Sequence, residues 1–336
     1  MNRIYQTLKA LSYHVSVSGG EESVASYLKE TMAPFCDEVT TDAMGNVLCK
    51  KSSKNATETL LLTAHMDEIG FLVCDADEQG FVLLAPVGGI HAEAAAFSRV
   101  RFENGRVGVL VPKDSTKAAD LDAKEFACDI GAKSRAQALS LVSVGDRCAT
   151  LCPVTKLAAG RVSGRALDNR AGVAVLVALA EALKDETALP YHLVFAFTVQ
   201  EEVGLRGASP IGFAVAPDYC INVDITPSGD GYGAKGPVKL GCGPTVKYKD
   251  RSVVCHRSMI RHLEACAKDA GVKTQAEILT FGGTDTGPIQ SSRAGVVSGA
   301  VSIPLRYVHT DCETCALSDL EGAVTLLKAA AHTKFN

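Results

Sequence analysis

The chain has 336 residues, 47% of them hydrophobic and 21% charged, with a formal net charge of −4. That length holds one large domain or two smaller ones, and the absence of any long basic or acidic run argues against a nucleic-acid partner or an anionic membrane surface. No apolar stretch reaches the roughly 18 residues that a membrane span requires, and the opening MNRIYQTLKALSYHVSVSGG has no apolar signal core.

Twelve cysteines are scattered through the chain. Cys49, Cys74, Cys220 and Cys266 sit in apolar, strand-like contexts, as reduced cytoplasmic thiols do. Cys312 and Cys315 form a C-x-x-C without the second pair that a structural zinc would need. Coincidence is the favoured reading, and a redox pair the alternative.

Tyr5, Leu8, Leu11 and then Val24, Tyr27, Leu28 recur at helical spacing, which predicts helices over residues 1–33, split at Ser18-Gly19-Gly20. Ser18 with Glu21 has the form of a capping box for the second helix. Thr59–Ala64 is a short apolar strand running into His65-Met66-Asp67. After Gly70 the texture becomes short, β-rich and glycine-broken, as in a small barrel or sandwich. Within it, Pro112–Ala127 reads as an exposed loop or short helix. From Gly164 an α/β texture returns. Gly172–Lys184 is apolar all round and predicts a buried helix. Strands follow at 191–199 and 219–224, then a helix near Met259–Ala270, a strand ending near Leu279, a strand over 295–303 and a last helix over 317–331. The fold class is α/β, a mixed and mostly parallel sheet flanked by helices. The organisation is one domain over residues 1–69 and 162–336, interrupted by a β-rich insertion over 70–161.

The stretch Tyr191–Gly204 organises the chemistry. Leu193, Val194, Phe195, Phe197 and Val199 form a continuous apolar run, the mark of a strand buried on both faces. It stops at two adjacent carboxylates, Glu201 and Glu202. In open α/β sheets ligands bind at the carboxyl ends of the strands. Other segments bring acids and imidazoles to the same rim: His65 and Asp67, Asp168 in GRALDNRAG, Asp224 in INVDIT, and His309 after the strand 295–303. Two imidazoles with several carboxylates suit Zn²⁺, Co²⁺ or Mn²⁺. The acids exceed what one ion needs, and a carboxylate shared by two ions about 3.5–4 Å apart is the common hydrolytic solution. One acid must stay off the metal to act as base. Glu201 and Glu202 can divide these jobs, because successive side chains diverge at a strand end.

Six ordered motifs make the pattern specific: AHMDEIGF (64–71), GRALDNRAG (164–172), QEEVGLRGA (200–208), VDIT (223–226), FGGTDTGPIQ (281–290) and IPLRYVHT (303–310) with Glu313. With them the chain resembles the glutamyl-aminopeptidase family of co-catalytic metallopeptidases, including the deblocking and tetrahedral (TET) aminopeptidases. The resemblance implies two divalent ions, Zn²⁺ first among them, bridged by Asp168. It gives His65 and Asp224 to one ion and Glu202 and His309 to the other. It makes Glu201 the general base, Asp67 the acid that holds His65, and Asp168-Asn169 a cis peptide. It also implies that the β-rich insertion is a dimerisation domain helping to build a hollow tetrahedral dodecamer, and that short unblocked peptides lose their first residue to a metal-bound hydroxide. The segment IHAEAAAFS (90–98) departs from the family pattern, as does the missing proline after His309.

Three rivals remain at this point: a deacylase or dipeptidase on the same metals, a glycosidase, and a non-catalytic binding protein. A glycosidase needs acids facing each other across a sugar, which adjacent glutamates do poorly. Phe281–Gly287 lacks the spacing of a phosphate loop and reads as a turn lining the substrate side. Arg306 reads as structural. His14, His91, His192, His256, His262 and His332 carry no motif and read as structural or exposed.

Overall fold

The computed structural model describes residues 3–54, 56–113 and 121–335. The chain opens with α1 (Arg3–Leu11) and α2 (Glu22–Met32), then β1 (Glu38–Thr41), β2 (Val47–Lys51) and β3 (Glu58–His65). The β-rich stretch follows: β4 (Gly70–Ala76), β5 (Val82–Val87), α3 (Ala92–Ala95), β6 (Arg99–Phe102), β7 (Val107–Pro112), β8 (Phe126–Asp129), α4 (Arg135–Leu141) and β9 (Arg147–Thr150). Next come β10 (Thr155–Lys156), β11 (Arg161–Gly164), α5 (Leu167–Leu183), β12 (Tyr191–Thr198), α6 (Ala208–Val215) and β13 (Tyr219–Pro227). The remainder is β14 (Thr245–Lys249), α7 (Arg257–Asp269), β15 (Gln275–Ile278), α8 (Thr286–Gln290), β16 (Val297–Leu305), β17 (Glu313–Ala316) and α9 (Leu317–His332).

Eight strands form the main sheet in the order β1-β2-β12-β3-β13-β16-β14-β15. The four central strands β12, β3, β13 and β16 are parallel, with Thr198 beside His65 and Asp224 beside Ser302. Both faces are covered, which explains the continuous apolar runs. Leu60, Leu62, Leu193, Phe195 and Phe197 enter the core on the α5 side. The intervening Leu61, Val194 and Ala196 enter a second core with Ala208 and Ile211 of α6, as the two-residue period of a strand requires. Helix α5 is buried almost throughout, and each fully buried Leu or Val contributes roughly 1.5–3 kcal/mol before entropy is counted.

Strands β4-β5-β8-β7-β6-β9 close into a barrel, which leaves no open edge. Phe71, Val100, Phe102, Phe126, Cys128 and Cys148 fill it. Strands β10, β11 and β17 form a separate three-stranded antiparallel sheet.

Several expectations need correction. Ser18 and Glu21 do not form a capping box: α2 has no side-chain cap, and the Ser18 hydroxyl instead donates to Asp67 Oδ2 at 2.7 Å. Among its described residues the segment Pro112–Ala127 holds a 3₁₀ turn at Ala123–Glu125 and then the start of β8, while its residues 114–120 lie outside the described ones. Cys266 is on helix α7 rather than a strand, and Cys74 is exposed. Strands β1, β14 and β17 and helices α3, α4, α6 and α8 have no counterpart in the sequence reading. All twelve cysteines, Cys312 and Cys315 among them, are free thiols. Arg306 is structural, as expected: it makes a two-pronged ion pair with Asp230, at 3.1 and 2.7 Å. No helix among the described residues is long and apolar enough to cross a membrane.

Candidate active site

The carboxyl ends of β3, β12, β13 and β16 converge with the start of α5. His65 closes β3 and Asp224 lies within β13, both less than 5% exposed. Gln200 takes a left-handed backbone, φ 56°, just beyond β12, and so turns Glu201 and Glu202 back toward the rim. His309 is also left-handed, φ 62°. Such non-glycine positions cost of order 1–3 kcal/mol each.

One carboxylate is central. Asp168 Oδ1 lies 3.1 Å from His65 Nε2, and its other oxygen, Oδ2, lies 3.5 Å from His309 Nε2. His65 Nε2 is also 3.8 Å from Asp224 Oδ1, and His309 Nε2 is 3.3 Å from Glu202 Oε2. Donor atoms of His65, Glu201 and Asp224 lie within 4.8 Å of one another, and so do those of His65, Asp168 and Glu202. The Asp168–Asn169 peptide is cis.

The opposite ring nitrogens are tied down. His309 Nδ1 donates to the Gly89 carbonyl at 2.9 Å. A side chain at position 89 would place its Cβ 2.9 Å from that nitrogen, so the barrel loop needs glycine there. His65 Nδ1 lies 3.4 Å from Asp67 Oδ1. Asp67 also accepts from Ser18 and from the backbone N–H groups of Glu201 and Glu202, at 3.0 and 3.2 Å. Glu313 accepts from the backbone N–H of Asp168 at 3.0 Å and of His309 at 2.8 Å. Behind Asp67, Glu68 is paired with Arg165 and lies 3.7 Å from Arg170.

The electrostatics follow from burying so many acids together. Burial pushes Glu201 well up, with Asp224, Asp285 and Glu202 adding to the rise against the opposing His65. Burial and the neighbouring Asp168 raise Glu202 against the pull of His309. Asp224 is pushed up to about 7, by burial first. Burial would lower His309, but its bonds to Asp168 and Glu202 outweigh it and push the ring up to about 11. Asp168, despite burial, is held well below the usual carboxylate range by its two imidazoles. Carboxylates at Asp67, Asp168, Glu201, Glu202, Asp224 and Glu313 thus surround two imidazoles. Even with both rings protonated the cluster is short of positive charge, so its buried acids must either hold protons or be met by a cation. Both rings aim Nε2 inward with Nδ1 held, as ligating histidines do. The donor set fits divalent ions.

The structure therefore brings together His65, Asp67, Asp168, Glu201, Glu202, Asp224 and His309. The roles of Ser18 and Glu313 were not foreseen: Ser18 was assigned to a helix cap, and Glu313 bonds a residue 145 positions away. His91 lies closer to the site than its lack of motif suggested, with its ring centroid 6.4 Å from that of His309. Phe281–Thr284 line a cavity that opens from the cluster.

Residues 45–326 match the model of the M42 glutamyl aminopeptidase family. The chain belongs to that family. A protein of Acetivibrio thermocellus, provisionally assigned as an aminopeptidase, is 40% identical to this M42 peptidase over 329 residues, 97% of this chain and 98% of that one. A lysyl aminopeptidase of Pyrococcus furiosus is 30% identical over 349 residues, covering 97% and 96%. The solved TET1 peptidase of Pyrococcus horikoshii, which can assemble into a tetrahedron or a large octahedral shell, is 31% identical with a TM-score of 0.88, covering 98% and 100%. This M42 chain is a peptide hydrolase with a mostly parallel sheet and a closed β-barrel.

Proposed function

We propose that the chain is an aminopeptidase that uses two divalent ions to release the first residue of short unblocked peptides. One observation carries the reading: the Nε2 atoms of His65 and His309 face opposite oxygens of the single carboxylate Asp168. That arrangement supports Asp168 as the bridge, with His65 and Asp224 completing one ion's shell and Glu202 and His309 the other's. When bound, the two ions supply Lewis acidity, polarising the scissile carbonyl and easing deprotonation of water. Zn²⁺ suits the N/O donor set best, with Co²⁺ and Mn²⁺ as alternatives.

The chain's own groups do the rest. Glu201 sits within 4.8 Å of the His65 and Asp224 donor atoms. By distance alone it could ligate or act as base. Glu201 is the base in this reading, because Asp168, His65, Asp224, Glu202 and His309 would already hold both ions. It accepts the attacking water's proton on its carboxylate and returns it to the leaving amine. Asp67 fixes the orientation of His65 and, through the two backbone N–H groups, the turn that carries Glu201 and Glu202. The surplus of acids gives a free α-amine partners beside the ions, which an N-acetyl cap would forfeit.

The assembly is proposed by likeness to the TET1 peptidase: residues 70–161 form an inserted dimerisation domain, and the dimers build a closed shell, a dodecamer in its tetrahedral form. The twelve free thiols support a reducing, cytoplasmic setting. Mass spectrometry on matched peptides tests the activity. Unblocked peptides should lose their first residue at least ~10²-fold faster than N-acetylated ones, as when a buried polar partner is left unpaired. Release of the acyl group at a comparable rate would replace the proposal with a deacylase.

A further inference from the structure

A cavity of about 700 Å³ opens from the cluster, where His65, Asp168, Glu201, Glu202, Asp224 and His309 line it. If the α-amine lies beside those acids, as the proposed function has it, the side chain on the next carbon has this cavity to enter. Its walls away from the cluster are apolar: Leu205, Ile225, Pro227, Leu279, Phe281 and Val308. Among the described residues, two charged side chains outside the cluster line it, Lys247 and Asp250, together with His91 at the rim beside His309.

Neither charge is free to receive a ligand. Lys247 is 1% exposed, and its Nζ lies 2.5 Å from Glu277 Oε1 and 3.4 Å from Asp250 Oδ2. Asp250 Oδ1 accepts from the Ser252 N–H and hydroxyl and from the Val253 N–H, and Oδ2 accepts from the Thr284 hydroxyl. An acidic side chain entering here would lose its water and meet a cation already shared by two carboxylates. A lysine side chain would meet an acid whose acceptors are already used. Both pay the penalty of an unpaired buried charge, whereas Leu or Phe would exchange water for the apolar wall.

We propose that this cavity is the pocket for the first side chain and that it selects neutral apolar residues over acidic and basic ones. The inference rests on the aminopeptidase reading, and its test separates the two. Leu-, Phe-, Glu- and Lys-p-nitroanilides and N-acetyl-Leu-p-nitroanilide are compared on the metal-loaded protein, with free leucine and free glutamate as competitive inhibitors. The Leu and Phe substrates should exceed Glu and Lys by at least about tenfold in kcat/KM, and leucine should inhibit at lower concentration than glutamate. Leu279→Arg adds an unpaired cation to the wall. It should shift the Glu-to-Leu ratio at least about tenfold toward Glu with metal content per chain unchanged. Phe281→Lys, at a position 58% exposed, should shift it the same way and serves if Leu279→Arg does not fold. Equal or faster turnover of the Glu or Lys substrate by the unaltered protein overturns the pocket assignment alone, as does a ratio that neither folded variant moves. Rapid cleavage of the acetylated substrate overturns the aminopeptidase reading beneath it.

Discussion

Replacing Asp67 by Asn tests how the site is held. Asp67 is fully buried. Oδ1 faces His65 Nδ1 at 3.4 Å and accepts from the Glu201 N–H, while Oδ2 accepts from the Ser18 hydroxyl and the Glu202 N–H. An asparagine keeps one oxygen and puts an NH₂ in place of the other, so either orientation sets donor against donor. Losing a hydrogen bond to a charged group costs about 1.5–3 kcal/mol. At 1.4 kcal/mol per tenfold, metal affinity should fall roughly 10–150-fold, in line with the usual effect of removing a group that orients a ligand. The assay is titration of chelator-treated protein in metal-buffered solution, with circular dichroism checking the fold. Ser18→Ala removes one of the four contacts and should weaken binding less. An Asp67→Asn protein that keeps its metal affinity, even with lowered thermal stability, would refute the reasoning.

Glu201→Gln should retain both ions and lose turnover by roughly 10² or more, whereas Glu202→Gln should lose metal first; if Glu201→Gln empties the site, the roles are reversed. Gly89→Ala would press a methyl against His309 Nδ1 and should weaken metal binding about 10–100-fold, read by the same titration; unchanged affinity would mean that the barrel loop does not hold this imidazole. Because Asp224 is pushed up to about 7, it holds a proton at pH 6 that an ion must displace. Metal uptake should therefore release protons, and affinity should fall as pH drops through 7; calorimetry in buffers of different ionisation enthalpy reads this, and uptake without release would contradict it. Glu68→Gln would leave the buried Arg165 and Arg170 without their carboxylate, at a cost of about 3–5 kcal/mol in urea unfolding; a loss under 1 kcal/mol would show that the arginines find other partners.

The central sheet was legible because β3, β12, β13 and β16 are buried on both faces and end in charged residues. His65, Glu201, Asp224 and His309 could be aligned from those ends alone, and Asp168 from the turn before an apolar helix. What was not legible depends on contacts between distant segments. Ser18 carries the same local signal whether it caps α2 or bonds Asp67, and tertiary packing chose the second. Nothing local marks Glu313 as the group that pairs the backbones of Asp168 and His309. Strand β14 is short, and Lys247 gives it a buried charge that masks its apolar period. His91 precedes a four-residue helix whose sequence predicts nothing, and only the barrel's position over the rim brings it beside His309.

The most direct test of the account is a titration of chelator-treated protein with Zn²⁺ or Co²⁺, following hydrolysis of an unblocked peptide. Activity should be absent at the start and should reach its plateau at about two ions per chain, with Asp168→Ala giving neither the binding nor the activity. Full activity in metal-free protein, or a plateau reached by Asp168→Ala at the same stoichiometry, would contradict the two-ion site.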